Sequence, residues 1–206
     1  MCIRDRAFDY GIGREAETAA ALAASAHVVR LEVLHNRVIV NPMEPRGAWA
    51  DWDGGRLHLC VNGQGVWTQK KELARMLGLA ADAVRVTNPD VGGGFGMKAM
   101  TYPEYVVIAQ AARMLGRPVR WISERGEGML TDNAGRDLVA EAEMGFDANL
   151  RITGYRLRVL SNLGAYNSQF AQAIQSELFS KVLTGVYDIP HAWLNALGVF
   201  TNTAPV

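Results

Sequence analysis

A glycine-rich run with one aromatic side chain is the part of this sequence whose residues could most readily do chemistry. Residues 91–98 read Val-Gly-Gly-Gly-Phe-Gly-Met-Lys, and Tyr102-Pro103-Glu104 follows shortly after. Glycine allows conformations with positive φ that side chains forbid, so main-chain N–H groups in such a run can approach an anion or a cofactor closely. Phe95 would then form a wall beside the bound group. A structural tight turn explains the same glycines equally well.

The run matches neither of the common phosphate-binding motifs. A P-loop requires glycine, lysine and then serine or threonine in register, but Met97 stands at the glycine position and Ala99 at the hydroxyl position. The dinucleotide pattern GxGxxG fails because the third residue after Gly94 is Met97. A nucleotide-phosphate binder is therefore disfavoured, whereas another kind of ligand loop and a structural turn both stay open.

Short helices and strands surround the run and would position it. Helix propensity and terminal glycines predict helices over Arg14–Ala26, Thr68–Leu77, Pro103–Leu115 and Gln169–Leu183. β-branched clusters and turn residues predict two strands within His27–Val40 that turn at Asn36, and further strands over Trp49–Asp51, Leu57–Val61, Val84–Val86, Val119–Ile122, Asp137–Phe146 and Leu150–Leu160. Strand pairs mixed with helices favour an α+β fold, with mixed sheets and flanking helices, over a strictly doubly wound sheet.

The composition excludes several classes of protein. Lys plus Arg and Asp plus Glu number 21 each, so no basic excess points to nucleic acid. Hydrophobic residues make up 49% of the chain, which is enough for a core. Cys2 and Cys60 cannot form a disulfide framework or a metal site by themselves, which favours a reducing compartment, the cytoplasm. No apolar run approaches the length of a membrane span.

Both ends of the chain carry their own prediction. Residues 1–6 read Met-Cys-Ile-Arg-Asp-Arg and resemble a translated sequencing-adaptor scar, so we interpret them as a non-native leader. Residues 201–206 form an extended, proline-containing stretch. We therefore expect residues 7–206 to be a partial domain that is truncated at its C-terminal end.

Several further motifs occur in a fixed order along the chain. They are NPMEPRGA (41–48), NGQG (62–65), DVGGGFG (90–96), RPVRW (117–121) with Glu124-Arg125, LGAY (163–166) and TNTAPV (201–206). Their order and spacing, from about Ala7 to the last residue, resemble the molybdenum-cofactor-binding large subunit of the xanthine dehydrogenase/aldehyde oxidase family, which includes carbon monoxide dehydrogenase-like bacterial enzymes. The resemblance implies that the chain is an internal piece of the first molybdopterin-binding domain of a molybdenum hydroxylase.

The resemblance also implies which residues contact the cofactor. The glutamine that matches Gln64 donates its side-chain amide toward an oxo ligand of molybdenum, although a glutamine between two glycines is ordinarily a turn residue. The Phe-Gly pair that matches Phe95 and Gly96 lies against the molybdenum, and backbone groups of this loop contact the cofactor. We therefore expect Gln64, Gly93, Gly94, Phe95 and Gly96 to bind the cofactor, with Gln64 and Phe95 near the metal.

Other charged residues near the run receive a plain interpretation. We expect Lys98 to be an exposed lysine at the start of a helix and Glu104 to favour a first helical turn. The family's catalytic glutamate, which acts as a base, lies near the far C-terminal end of the large subunit. We therefore expect no catalytic residue in this chain and no turnover by it alone.

Two departures from the family pattern bear on the substrate. Purine-oxidising members carry a glutamate immediately after the loop lysine, where this chain has Ala99. The segment Gln172–Lys181, where those members offer a substrate arginine, contains no arginine. A purine is therefore disfavoured, and an aldehyde, a nitrogen heterocycle and carbon monoxide stay open.

The resemblance implies an oxidoreductase that hydroxylates a carbon, or oxidises carbon monoxide, with oxygen from water. Its molybdenum–molybdopterin would be in the cytosine dinucleotide form. Electrons would leave through [2Fe–2S] clusters on a small subunit and FAD on a medium subunit. The alternative is a non-enzymatic binding or interaction domain in which the glycine run is only a tight turn.

Overall fold

The computed structural model describes residues 5–206, which form two compact units. One unit comprises residues 39–133, and the other comprises residues 5–38 together with residues 134–206. Residues 1–4, which include Cys2 and most of the proposed leader, lie outside the described range. Arg6, also assigned to that leader, begins the first strand. The leader therefore stays a prediction.

The described residues contain nine strands and five α-helical segments. In chain order they are β1 (Arg6–Gly13), α1 (Glu15–Ala24), β2 (His27–Ile39), β3 (Gly47–Asp53), β4 (Arg56–Val61), α2 (Trp67–Leu77), β5 (Val84–Thr87), α3 (Pro103–Leu115), β6 (Val119–Ile122), α4 (Arg125–Thr131), β7 (Ala134–Phe146), β8 (Ile152–Asn162), α5 (Ala171–Ala173) and β9 (Ala192–Val199). No helix among residues 5–206 is long and apolar enough to cross a membrane.

The unit of residues 39–133 is built on a four-stranded mixed sheet in the order β5-β4-β3-β6. Strands β3 and β4 form an antiparallel hairpin, and β4 and β5 run parallel. In β4, Leu57, Leu59 and Val61 point into the core, because alternate residues of a strand face the same side. Helix α3 covers the sheet with Tyr105 and Ile108, which are also buried.

The other unit is built on a five-stranded sheet in the order β1-β9-β8-β7-β2. Strands β7 and β8 form a long antiparallel hairpin, while β8 and β9 run parallel. Its core contains Leu157 and Val159 of β8 and Leu194 of β9. Two mixed sheets with helices confirm the predicted α+β class.

Most of the predicted elements are present, but one prediction was wrong and one element differs in detail. His27–Ile39 is one continuous strand rather than two strands with a turn at Asn36, because β7 is equally long and pairs beside it. The helix predicted over Gln169–Leu183 is present but shorter, over residues 171–180, and a π-helix at Ile174–Leu178 interrupts its α-helical form. The Ser176 hydroxyl donates to the Gln172 carbonyl there, a side-chain bond that competes with the regular helical ladder.

Candidate cofactor-binding site

The glycine loop begins at the carboxyl end of β5, beside the carboxyl end of β4. The two strands are parallel, with Cys60 opposite Thr87, so the segments that follow them emerge at the same edge of the sheet. Asn88 joins these segments, because its side chain accepts from the Gly63 N–H (3.1 Å) and donates to the Gly63 carbonyl (2.7 Å). The carboxyl ends of parallel strands are a common place for ligand sites in α/β sheets. This edge therefore brings Gln64 and the glycine loop together.

Gln64 makes direct contact with the glycine loop. Its side-chain oxygen accepts a hydrogen bond from the Gly96 N–H at 2.8 Å. The backbone N–H of Gln64 donates to the Lys98 carbonyl at 3.1 Å. Because the amide oxygen is occupied, the NH₂ group of this exposed side chain is the donor left to face a ligand.

The Gln64 side chain leaves no room for a side chain at position 94. A Cβ atom at Gly94 would lie 2.4 Å from the Gln64 side-chain oxygen and 2.6 Å from its amide carbon. By contrast, a Cβ at Gly96 would meet no atom within 4 Å, although the φ of +92° there strongly favours glycine. Gly93 also has a positive φ, +94°. Gly94 is thus required for close packing, whereas the positive φ angles at Gly93 and Gly96 favour glycine for backbone conformation.

Phe95 is held in an uncommon conformation and is exposed. Its φ is +51°, in the left-handed region that bulky residues rarely occupy, and 77% of its surface is accessible. Such strain costs on the order of 1–3 kcal/mol and tends to persist at ligand sites. An exposed aromatic ring on a loop of main-chain donors could cover one side of a planar or apolar group.

Lys98 is buried, so the prediction of an exposed lysine was wrong. Its side chain is fully inaccessible, and its ammonium donates to Glu44 Oε2 at 2.9 Å. Burial opposes ionisation of Glu44, but hydrogen bonds from Lys98 and the Gly92 N–H outweigh it and hold the pKa of this carboxyl below its usual value. The partners are 54 positions apart in the sequence, which explains why no local spacing pointed to the pair.

A second buried cation, Arg46, anchors the segment before β3. Its guanidinium donates to Asp132 at 2.6 Å and to Glu104 at 3.1 Å, and it stacks 3.6 Å above the centre of the Tyr102 ring. Burial would lower the pKa of Arg46, but hydrogen bonds to the two carboxylates raise it. Glu104 therefore does more than favour a first helical turn, and the sequence analysis missed this cluster.

Motifs that are far apart in sequence meet inside the same unit. Arg125 donates to the carbonyls of Pro42 and Met43, each at 2.7 Å, and to the Asn41 side chain. In the other unit, the motifs at 163–166 and 201–206 pair with each other, because Thr201 N–H donates to the Gly164 carbonyl at 2.9 Å. The quoted motifs thus correspond to contacts that shape loops.

The site offers hydrogen-bond donors rather than metal ligands. Within residues 5–206, no three His, Cys, Asp or Glu side chains are grouped so that they could hold a metal ion. The Gln64 amide, the open backbone at Gly96 and the exposed Phe95 ring together suit a large anionic group with an apolar or planar part.

Comparisons with known proteins agree on one family. The model of the molybdopterin cofactor-binding domain matches residues 5–206. The chain is 36% identical over 187 residues to the 6-hydroxypseudooxynicotine dehydrogenase complex subunit gamma of Paenarthrobacter nicotinovorans, covering 90% of this chain and 23% of that protein. It is 32% identical over 200 residues to the carbon monoxide dehydrogenase large chain of Hydrogenophaga pseudoflava, covering 96% and 25%.

Solved structures show the same relationship. The crystal structure of quinoline 2-oxidoreductase from Pseudomonas putida 86 superposes with a TM-score of 0.93 at 33% sequence identity, covering 98% of this chain and 26% of that chain. This chain therefore spans about a quarter of the length of the relatives it matches.

Proposed function

The chain belongs to the molybdopterin cofactor-binding domain family, and from this premise we propose that it acts within the large subunit of a molybdenum hydroxylase. The observation that carries the proposal is the Gln64 amide, which is fixed on Gly96 with its NH₂ group left as a donor. An amide N–H is a suitable partner for a negatively charged group at a cofactor, because it orients that group without binding the metal.

We assign the contact with the cofactor to Gln64, Gly93, Gly94, Phe95 and Gly96. The cradle fits such a group, since the backbone is bare at Gly96 and an aromatic ring stands exposed beside it. When bound, molybdenum–molybdopterin supplies two-electron oxidation with water as the source of oxygen. Gln64 would direct a hydrogen-bond donor toward the bound group, and Phe95 would cover one side of it against water. The chain's own residues thus bind and orient.

The assembly around the chain is proposed from the relatives. Those relatives are named as a complex subunit gamma and as a large chain, which implies partner subunits. We propose the cytosine dinucleotide form of the cofactor, with a [2Fe–2S] small subunit and an FAD-binding medium subunit as electron acceptors. A cytoplasmic location agrees with the presence of only two cysteines in the sequence.

For the substrate we propose a nitrogen heterocycle first, and carbon monoxide or an aldehyde as the other classes. Relatives named for nicotine and quinoline share 35% and 33% identity with this chain, and a carbon monoxide dehydrogenase shares 32%. Ala99 stands where purine-oxidising members place a glutamate, so a purine stays disfavoured. The relatives give no support to a non-enzymatic domain.

The proposal is tested with the longer protein that contains this chain, purified with its partner subunits. Molybdenum and pterin are quantified by mass spectrometry, and dye reduction is followed with quinoline, nicotine, benzaldehyde or carbon monoxide as substrate. We expect near-stoichiometric molybdenum and turnover of at least one of these compounds. A folded complex without molybdenum or pterin would contradict the proposal. Turnover of carbon monoxide alone would overturn the preference for a nitrogen heterocycle as substrate.

A further inference from the structure

Glu44 bridges the two ends of the glycine loop through a single carboxylate oxygen. Glu44 Oε2 accepts from the Gly92 N–H at 2.8 Å and from the Lys98 ammonium at 2.9 Å. The Glu44 N–H also donates to the Gly92 carbonyl at 3.2 Å. Gly92 opens the loop and Lys98 follows it, so one side chain fixes the separation of both ends.

The contact between Glu44 and the loop leaves no spare room. A Cβ atom at Gly92 would lie 2.5 Å from the Glu44 Cβ, closer than such atoms approach in proteins. The φ of Gly92 is not in the positive region, so packing against Glu44 rather than backbone conformation requires glycine there. The start of the loop thus lies directly on the Glu44 side chain.

Lys98 transmits this restraint to Gln64. Its ammonium is fully buried, and a buried cation is stable only when it is paired and hydrogen-bonded. Its carbonyl accepts from the Gln64 N–H at 3.1 Å. The position of Lys98, set at one end by Glu44, therefore sets the backbone of Gln64 at the other.

Glu44 is itself held by rigid neighbours. The Asn62 side chain donates to the carbonyl of Pro45 at 2.8 Å and accepts from the Gly47 N–H at 2.8 Å. Arg46, two residues after Glu44, is buried between Asp132 and Glu104. The Glu44 carboxylate is thus carried by a segment that is held on both sides, and it can support the glycine loop.

We infer that Glu44 is a positioning residue for the cofactor, which sets the shape of the loop from Gly92 to Lys98 and, through Lys98, the orientation of the Gln64 amide. The inference rests on the proposed function for its consequence at the cofactor. The restraint on the loop itself does not depend on that function, so the two can fail separately.

Hydrogen exchange of three backbone amides tests directly whether Glu44 restrains the loop. The Gly92, Gly96 and Gln64 N–H groups each donate to a partner inside this network, whereas the N–H groups of Leu79 and Gly116 close the ends of α2 and α3. In the longer protein, Glu44→Gln and Lys98→Met should each speed exchange of the first three amides by roughly tenfold or more, with the two helix-end amides unchanged. The double variant should add little to either single change, because the two residues act as one unit.

Glu72→Gln serves as the matched control, since Glu72 pairs with Arg75 on the exposed side of α2 in the same unit. The control should leave exchange and molybdenum content at wild-type values, whereas Glu44→Gln should lower molybdenum per folded molecule. If Glu44→Gln does not accumulate, Glu44→Asp is used, because its shorter side chain cannot reach both partners.

Wild-type exchange at Gly92, Gly96 and Gln64 in a folded Glu44 variant would overturn the inference, as would equal loosening of α2 and α3. Faster exchange of these amides in a Glu44 variant, combined with a wild-type protein that never binds molybdenum, would support the restraint by Glu44 and refute the proposed function.

Discussion

At the scale of single residues, the orientation of the Gln64 side-chain amide decides which group the site presents to a ligand. The oxygen of Gln64 is occupied by the Gly96 N–H, so the side chain cannot rotate to present an acceptor without breaking a bond. A donor is therefore aimed outward from the loop before any ligand arrives. Preorganised donors of this kind contribute most where water is excluded, because the low dielectric strengthens them.

Gln64→Ala in the longer protein should keep the fold and the molybdenum content but slow turnover. Losing one donor in a water-excluded site typically costs ~2.7–4 kcal/mol of transition-state stabilisation, or roughly 10²–10³ in kcat. Gln110→Ala is the matched control, since Gln110 is a half-buried residue of α3 away from the loop. Turnover at the wild-type rate by a molybdenum-replete Gln64→Ala enzyme would refute the assignment.

Gly94→Ala tests the steric origin of the glycine. Its added Cβ would lie 2.4 Å from the Gln64 oxygen, so the loop backbone that we assign to the cofactor must shift away from Gln64, and molybdenum per folded molecule should fall. In a Gln64→Ala background the same change should have little further effect, because the obstructing atoms are gone. Molybdenum is measured by mass spectrometry on the folded fraction. A loss of stability at constant molybdenum content would show instead that the glycine serves only the turn.

At the scale of the elements, two buried cations join the loops to the sheet. Arg46 joins the segment before β3 to α3 and to the end of α4, through Glu104 and Asp132. Breaking one partner of such a buried pair leaves an uncompensated charge, which is why single substitutions there are severe.

Arg46→Met should destabilise the protein by about 3–5 kcal/mol, because Asp132 and Glu104 lose their buried partner. Arg75→Met, which breaks the exposed pair with Glu72 on α2, should change stability by only about 0.3–0.5 kcal/mol. Denaturant midpoints and hydrogen exchange of α3 amides give the comparison. Equal effects of the two substitutions would contradict the importance assigned to burial.

The ion pairs of Glu143 on β7 should make the stability of the five-stranded sheet sensitive to acid. Hydrogen bonds from Arg30 and Arg156 outweigh burial and hold the pKa of Glu143 below its ordinary value of 4.5. Because the folded pKa lies below the unfolded one, the ion pairs stabilise the sheet above about pH 4.5, and this contribution is lost as pH falls through the folded pKa. Denaturation midpoints from pH 7 to pH 3 should therefore fall more steeply for the wild type than for Glu143→Gln. Parallel curves would show that Glu143 contributes nothing.

The sequence predicted elements whose signals are local. The strands predicted over Trp49–Asp51 and Leu57–Val61 form the β3–β4 hairpin, with Asp53-Gly54-Gly55 at its turn. Gly78 and Gly116 end α2 and α3 in the left-handed conformation expected of helix-terminal glycines. β1 and β9 were missed, because they come from opposite ends of the chain, with Arg6 opposite Val199, and no hairpin turn joins them. Helix α4 was missed because it is short and contains two glycines, although Glu124 and Glu127 form a capping box there.

The candidate site divides in the same way. The glycine loop was evident from composition, and the resemblance to a family implied that Gln64 and Gly96 both bind the cofactor, but the hydrogen bond between them was not predicted. The burial of Lys98 and Arg46 was not predictable, since their carboxylate partners lie at distant positions in the chain. Long-range ion pairs leave no period or spacing in a sequence.

At the scale of the whole molecule, large apolar side chains stay exposed in both units. On β2 they include Val29, Leu31 and Leu34, and on α3 they include Val107. Ordinary monomers rarely expose contiguous apolar patches above roughly 600 Å², and larger ones mark surfaces that another part of a protein covers. The chain spans only about a quarter of the length of its relatives. The relatives therefore contain further segments of the kind that could cover such surfaces.

The 206-residue chain expressed alone should therefore self-associate and should retain no molybdenum cofactor. Its cradle supplies donors from Gln64 and the glycine loop only, and a group as large as molybdopterin needs contacts from further segments to stay bound. Gel filtration with light scattering gives the oligomeric state, and pterin absorbance across the same peak gives the cofactor content. Replacing Val29 and Leu31 by threonine should reduce association without restoring the cofactor, because the two effects have separate causes. A monomer that unfolds cooperatively and carries pterin through the column would show that residues 5–206 suffice for binding, and the extent of the domain would then have to be redefined.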